Sequence, residues 1–427
     1  MDKFINLCAL AYQTKFRKPE QATVPPCIER AGSMIAAMMK SFRHFTPQLR
    51  IYQGSDCLDA IEGELERLQS RRAVIFCGST LARAGSQLEL VRQAMGGRLA
   101  AVYPGARADT PLPDVHEAVL GLQRLEADAI VAVGGGSAIT MARAVNILLS
   151  EKGDIRTLCT RREASGKLHS PKLLAPKLPI IAIPTTPTTA TVKAGSAVLD
   201  TREGKRLALY DPKTRARAVF IHPALVQSAP RQLFVSAALN TLALALEGLM
   251  SRAGDPMSDA MLMHATRLLA ALLPRAATDD DLDVRSQLMM ASILCGHGSD
   301  YTGAGMAIPI GHAISTRFDV EMGLSDSIML PHVVRFNAEA AESGLENIAI
   351  ALDARRVPGS VAAVEVVLAL EKLFSSLGLP RRLRDVGVTR PALAELAAIS
   401  FDDWYLQNNP RAITDVTQVQ HVLEEAW

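Results

Sequence analysis

Two spacings of apolar residues divide this chain. From about residue 50 to residue 190, short β-rich runs at 72–77, 99–103, 129–133 and 178–183 alternate with stretches whose apolar positions recur at helical spacing. Such alternation predicts a parallel sheet with helices on both faces, because each crossover between parallel strands needs a helix-length connection. Past about residue 230 the strand-like runs cease, and long amphipathic or wholly apolar helical patterns take over at 235–250, 261–273 and 361–377. The expected class is an α/β domain with a parallel, nucleotide-binding sheet over 48–228, followed by an all-helical domain over 229–427. Residues 1–47 contain Pro25-Pro26 and a Met-rich run from Met34 to Lys40, and read as a short helical extension or an oligomer contact. No internal repeat or low-complexity tract is visible.

One junction in the first half carries chemistry. The run Ala129-Ile-Val-Ala-Val133 stops at Gly134, Gly135, Gly136 and Ser137, and the pattern after Ala138 is helical. Glycines allow a tight turn and close approach of backbone to ligand, and the free N–H groups of the first helical turn attract an anion. A dinucleotide diphosphate is the economical occupant, although a strand-glycine-helix turn with nothing bound is common in α/β folds.

Composition narrows the partners. The 427 residues are 48% hydrophobic and 21% charged, and Lys+Arg 46 against Asp+Glu 44 leaves a net charge of +2. That balance recommends neither nucleic acid nor an anionic membrane. Aromatic residues are only 4%, so the interior is expected to be aliphatic. No apolar run approaches the roughly 20 residues that cross a bilayer. The start of the chain lacks a basic segment and a cleavage site, which points to the cytoplasm. Six cysteines, at 8, 27, 57, 77, 159 and 295, show no C-x-x-C spacing and read as reduced packing thiols.

Several segments together resemble the iron-containing (group III) alcohol dehydrogenases: Gly134 to Ser137, Ile183-Pro-Thr-Thr186, Tyr210-Asp-Pro212, Ile221-His-Pro-Ala-Leu225, Ala245-Leu-Glu247, Leu330-Pro-His-Val333 with Asn337, and Asn409-Pro-Arg411. They occur in the family's order from about residue 48 to the end. Asn240 and Arg285-Ser286 look most like the maleylacetate reductase branch. The resemblance implies a dehydroquinate synthase-like fold, a homodimer, and hydride transfer in a cleft between a nicotinamide-binding domain and a helical one.

The departures from the family are equally informative. Its metal is held by an Asp, a His four residues later, and two further His before the Leu-Pro-His segment. Laid onto this chain, those positions fall on Asn240, Leu244, Ile308 and Met322. Such residues offer no carboxylate and imidazole set for a divalent ion, so no catalytic metal is expected. His312 stands where the family has a His close to the nicotinamide and is the expected general acid, against the plain alternative of a hydrogen-bonded helix histidine. His332 is expected to be structural, because the Leu-Pro-His segment caps a helix in the family. His297, flanked by glycines, is a candidate for facing the cleft. Lys193, Glu247, Asp300 and Tyr301 are further polar candidates, with Lys193 or Arg317 available to hold a substrate carboxylate.

On the cofactor side, Thr140 and Arg143 replace the family's Asp and Lys, and Ala190-Thr191-Val192 replaces its Gly-Ser-Glu. Thr185, Thr186, Thr188 and Thr189 remain to hold phosphate and ribose. Gly78 occupies the place where an acidic residue would select NAD through the ribose hydroxyls, which leaves NAD and NADP both open. The readings this supports are a metal-independent NAD(P)H-dependent reductase of a small carbonyl or enone acid, with apolar Leu244, Ile308 and Met322 lining the pocket, or a retired or repurposed paralogue that binds or assembles without turnover. A non-redox, lyase-like reaction rests on fold analogy alone.

Overall fold

Alternate residues of one central strand belong to two different cores. In the computed structural model, which describes residues 41–163, 168–355 and 359–427, the expectations for Met34 to Lys40, Cys8 and Cys27 lie outside the described residues. Thr46–Trp427 form one unit by themselves, and the fold below is that of this unit. Its strands are β1 (Arg50–Gln53), β2 (Ala73–Phe76), β3 (Leu99–Tyr103), β4 (Ala129–Gly134), β5 (Arg161–Arg162), β6 (Leu168–His169), β7 (Ile180–Pro184), β8 (Gly195–Asp200), β9 (Lys205–Tyr210) and β10 (Ala216–Ile221). Six of them form a parallel sheet in the order β1-β10-β7-β4-β2-β3, while β8 and β9 make a separate antiparallel hairpin.

Helices α1 (Ile61–Arg67) and α2 (Leu88–Met95) bury Ile61, Leu65, Val91 and Met95 against Ala129, Val131 and Val133 of β4. Ile130 and Ala132 point the other way, into the core shared with α3 (Leu112–Leu125) and α4 (Gly136–Ser150). A strand buried on both faces reads as a continuous apolar run, which is how 129–133 reads in the sequence. The chain leaves β2 outward to β3 and returns to β4 on the opposite side of β2. Strand order therefore reverses between β2 and β4, and in such sheets ligands bind in the crevice outside the carboxyl ends at that switch point. Gly78 and the glycines after Val133 both sit there.

Among the described residues no strand follows Ile221. The remainder is built on α5 (Arg231–Met250), α6 (Pro256–Thr278), α7 (Leu282–Thr302), α8 (Ala307–Phe318), α9 (Met322–Asn337), α10 (Glu342–Ala351), α11 (Ala362–Ser376), α12 (Leu393–Asp402) and α13 (Val416–Ala426). One expectation is corrected here. Helix α5 runs 20 residues and contains an 18-residue stretch of mean hydropathy 1.7, long and apolar enough to cross a membrane. Because 83% of that stretch is buried inside the protein, its apolar surround is supplied by α6, α7 and α9, and it is the core helix of this region. The Leu-Pro-His segment is also corrected: Pro331 and His332 lie inside α9, not at a helix cap.

Backbones approach closely around α5. A methyl group at Gly323 would stand 1.9 Å from the Ser236 carbonyl oxygen, and one at Gly344 2.3 Å from that of Leu249. Neither backbone can yield without separating two helices. Gly323→Ala is therefore expected to cost about 3 kcal/mol, the upper end of overpacking effects, read as a lowered denaturant midpoint; an unchanged midpoint would contradict the packing.

Candidate active site

The glycine turn is shaped by the threonine loop beside it. Gly134 has φ +139, and Gly135 is the N-cap of α4. A methyl group at Gly135 would lie 3.3 Å from Thr186 Oγ1, and one at Gly136 3.0 Å from Thr188 Oγ1. The amide of Thr185 donates to the Gly134 carbonyl at 3.0 Å, so the loops after β4 and β7 lie side by side. Ser137 stands in the first turn of α4, where backbone N–H groups lack intrahelical partners. This cradle fits a dinucleotide diphosphate. Thr188 accepts from the Ala190 N–H at 3.2 Å and so caps the 3-10 turn Thr189–Thr191, and Thr140 contributes its carbonyl to Ser196 Oγ at 3.0 Å. Beside Gly78, at the ends of β2 and β3, a cavity of about 390 Å³ is lined by Ser79, Tyr103, Gly105 and Arg107, the last paired with Asp114.

Three cations gather behind the threonine loop. Arg143, on α4, donates to Ser196 Oγ at 3.3 Å, to the Lys193 carbonyl at 2.9 Å and to that of Ala190. Arg215 donates to the Val192 carbonyl at 2.6 Å and pairs with Asp300 of α7 at 2.6 Å, while Lys193 Nζ stands 3.9 Å from the same carboxylate. Burial pulls Lys193 down to about 8 and Arg143 to about 10, against the attraction of Asp300. Within this cluster three positive groups face one carboxylate, an arrangement that favours an anionic ligand. Tyr301 is partly exposed. The glycines flanking His297 serve helix packing: a methyl at Gly296 would strike Val192, and one at Gly298 would strike Leu262.

The opposite wall carries His312. Glu247, on α5, is buried and accepts the backbone N–H groups of Gly305, Ala307 and Ile308, so it caps the N-terminus of α8. That helix presents His312, whose Nδ1 lies 2.9 Å from Asp403 Oδ2. Asp403 in turn accepts from the Tyr405 N–H at 2.9 Å, and the Trp404 and Tyr405 rings stand 6.3 and 6.2 Å from the imidazole. Burial pushes the Asp403 carboxyl up, but its bond to His312 and that imidazole's charge bring it below the ordinary carboxylate range. An ionised carboxylate only accepts, so Nδ1 carries the hydrogen. Burial, then the charge of Arg206 on β9, hold His312 below its usual 6.5, with Asp403 and Asp109 opposing. The imidazole is thus neutral at pH 7, with Nε2 as its remaining basic atom.

The four positions that correspond to the family's metal ligands lie on α5, α8 and α9, which converge beside His312. Leu244 and Ile308 are buried, Met322 is 36% exposed, and Asn240 donates to Asp326 Oδ2 at 2.7 Å. One amide, two hydrocarbons and a thioether do not fit an iron ion, and among the described residues no group of three His, Cys, Asp or Glu is placed to hold a metal. Arg317 does not join the site; it pairs with Glu395 at 2.6 Å on the surface. Asp403, Tyr405, Arg206 and Asp326 were not anticipated from the sequence. Only Asp403, as the N-cap of the 3-10 turn Trp404–Asn408, leaves a local trace there.

Comparison with known proteins agrees with this architecture. Residues 47–223 match the model of iron-containing alcohol dehydrogenase, and residues 234–427 that of the Fe-containing alcohol dehydrogenase family C-terminal region. Lactaldehyde reductase of Escherichia coli (strain K12) is 28% identical over 385 residues, covering 88% of this chain and 97% of the relative. Maleylacetate reductase of Burkholderia cepacia is 27% identical over 333 residues, covering 78% and 86%. The crystal structure of a 1,3-propanediol oxidoreductase superposes with a TM-score of 0.82 at 22% identity, over 91% of this chain and 100% of that one. The sheet with its switch-point glycines, the helical region behind it and matches over both halves assign this chain to the iron-containing alcohol dehydrogenase family.

Proposed function

We propose that this chain is a metal-independent, NAD(P)H-dependent reductase of a small carbonyl or enone acid, similar to maleylacetate reductase, working in the cytoplasm as a homodimer without nucleic-acid or membrane partners. The observation that carries the reading is the buried pair of His312 and Asp403, at 2.9 Å, next to four positions that offer no metal ligand set. Gly134, Gly135, Gly136, Ser137, Thr185 and Thr186 would hold the dinucleotide, and when bound its reduced nicotinamide supplies hydride. NAD and NADP are both proposed, because no acidic side chain stands at Gly78 itself; the cavity beside it is lined by Asp114, tied to Arg107, and by Glu117.

The side chains of this protein do the rest. Asp403 orients the imidazole and stabilises its protonated form, so that Nε2 gives a proton to the developing alkoxide in reduction and takes one in oxidation. Lys193, backed by Arg143 and Arg215, supplies positive charge for a substrate carboxylate. Leu244 and Ile308 exclude water from the wall where relatives hold a cation, and Met322 stands at its rim.

The test is oxidation of NADH and NADPH by full-length protein against maleylacetate and lactaldehyde, with and without a chelator, beside elemental analysis. Turnover indifferent to chelation and far less than one metal per chain are expected. One equivalent of iron or zinc whose removal abolishes turnover would end the metal-independent reading, and failure of both cofactors to bind would leave the repurposed paralogue in its place.

A further inference from the structure

The helices that converge beside His312 enclose one carboxyl group that the chemistry above does not use. Asp326, on α9, is 0% exposed; its Oδ2 accepts from Asn240 Nδ2 at 2.7 Å, and its Oδ1 has no hydrogen-bond partner. The fold is cut away to admit it, since a methyl group at Gly311, the residue before His312, would stand 2.1 Å from that Oδ1. A buried polar atom left unpaired costs about 1–3 kcal/mol, so its retention calls for an explanation. Burial pushes the carboxyl well above its ordinary range; the charge of Glu247 adds to this and the Asn240 bond opposes it. In either protonation state a carboxyl oxygen of Asp326 accepts from Asn240.

Asn240 is only half-buried, in contrast to the sealed Asp326. With one of its N–H bonds tied to Asp326, the plane of the amide is set and the second N–H is left over. We propose that Asp326 is a positioning residue for the reduction: it orients the Asn240 amide so that the remaining N–H receives the substrate's carbonyl oxygen beside His312. This rests on the reductase reading above, and it supplies a hydrogen-bond donor where relatives use a cation. Preorganised donors of that kind are worth roughly 10²- to 10³-fold in turnover.

The experiment uses full-length protein carrying Asn240→Ala, Asp326→Leu, Asp326→Asn and the Asn240→Ala/Asp326→Leu pair, with NADH or NADPH and maleylacetate as the probe. Asn240→Ala is expected to lower kcat roughly 10²-fold. Asp326→Leu is expected to lower kcat about tenfold with the cofactor KM unchanged, and Asp326→Asn, whose amide oxygen still accepts from Asn240, to restore most of it. The double variant should be no slower than Asn240→Ala alone. A readout that needs no substrate accompanies these: the side-chain amide signals of Asn240 in asparagine-labelled protein, identified by their loss in Asn240→Ala. They should move in Asp326→Leu and return in Asp326→Asn. Unmoved amide signals, kcat within about twofold of wild type in Asp326→Leu, or losses that multiply in the double variant would each overturn the proposal. A protein that turns over no probe refutes the reductase reading instead, while the amide signals still decide the orientation of Asn240.

Discussion

His312→Ala is expected to lower kcat for carbonyl reduction by roughly 10²- to 10⁴-fold, the range lost with a positioned general acid, while cofactor affinity stays near wild type. The imidazole is held by Asp403 at 2.9 Å, with the Trp404 and Tyr405 rings 6.3 and 6.2 Å away. Asp403→Asn should cost less, because the amide oxygen still accepts from Nδ1 but no longer stabilises the imidazolium. The pH profile gives the sign. Burial holds the His312 pKa below 6.5, so the protonated acid is the minor form at pH 7. The kcat/KM for reduction should therefore fall about tenfold per unit as pH rises above that lowered value, whereas oxidation of the product alcohol should rise through it and level off. Steady-state kinetics between about pH 5 and 8 checks both arms. A His312→Ala variant with the wild-type rate, or a reduction rate flat across that range, would remove His312 from the mechanism.

Removing the carboxylate of Glu247 should have the largest effect on stability. It accepts three backbone N–H groups at the start of α8, from Gly305 at 2.9 Å, Ala307, and Ile308 at 3.3 Å, in a site where Glu247 itself is 1% exposed. Glu247→Ala leaves those donors buried without partners, at about 1–3 kcal/mol each, and a total near 4 kcal/mol is expected after relaxation. Because α8 carries His312, turnover should fall even at temperatures where the variant remains folded. Burial lifts the Glu247 carboxyl from 4.5 to about 7 against the pull of its N–H donors. Between those values the folded chain holds a proton that the unfolded chain has lost. The stability from this group is thus fully present below pH 4.5 and is lost as pH rises through about 7. Denaturant midpoints from pH 5 to 8 should decline more steeply in wild type than in Glu247→Gln; equal slopes would show that the group does not titrate there.

The parallel sheet was legible through β2, β4 and β7, which are fully buried and therefore appear as unbroken apolar runs. Strands β1 and β10 and the β8–β9 hairpin were not anticipated, although β10 lies inside the sheet between β1 and β7. Arg50–Gln53 has only one half-buried residue in four, exposed Arg217 interrupts β10, and in the hairpin β8 alternates buried with half-buried positions while β9 buries only Leu209, weaker patterns than a core strand leaves. Helix α5 was expected as an apolar helix over 235–250; its full length of 20 residues and its burial emerge only from the fold. At the site, the positions of His312, Asn240, Leu244, Ile308 and Met322 came from the family resemblance, and the structure shows Leu244 and Ile308 buried. Asp403, the partner of His312, was not anticipated, since 91 residues separate the two side chains and no local rule joins them.

Periodicity and glycine placement along the chain are enough to indicate a parallel sheet, its glycine turn and the helical second half, because these depend on neighbours a few residues apart. Long-range packing alone settled which groups share a low-dielectric space: His312 with Asp403, Lys193 and Arg215 with Asp300, and Asn240 with the sealed Asp326. Protonation and hydrogen-bond direction follow from burial and from charges brought together across tens of residues. Those are properties of the folded surroundings, with no counterpart in the order of the amino acids.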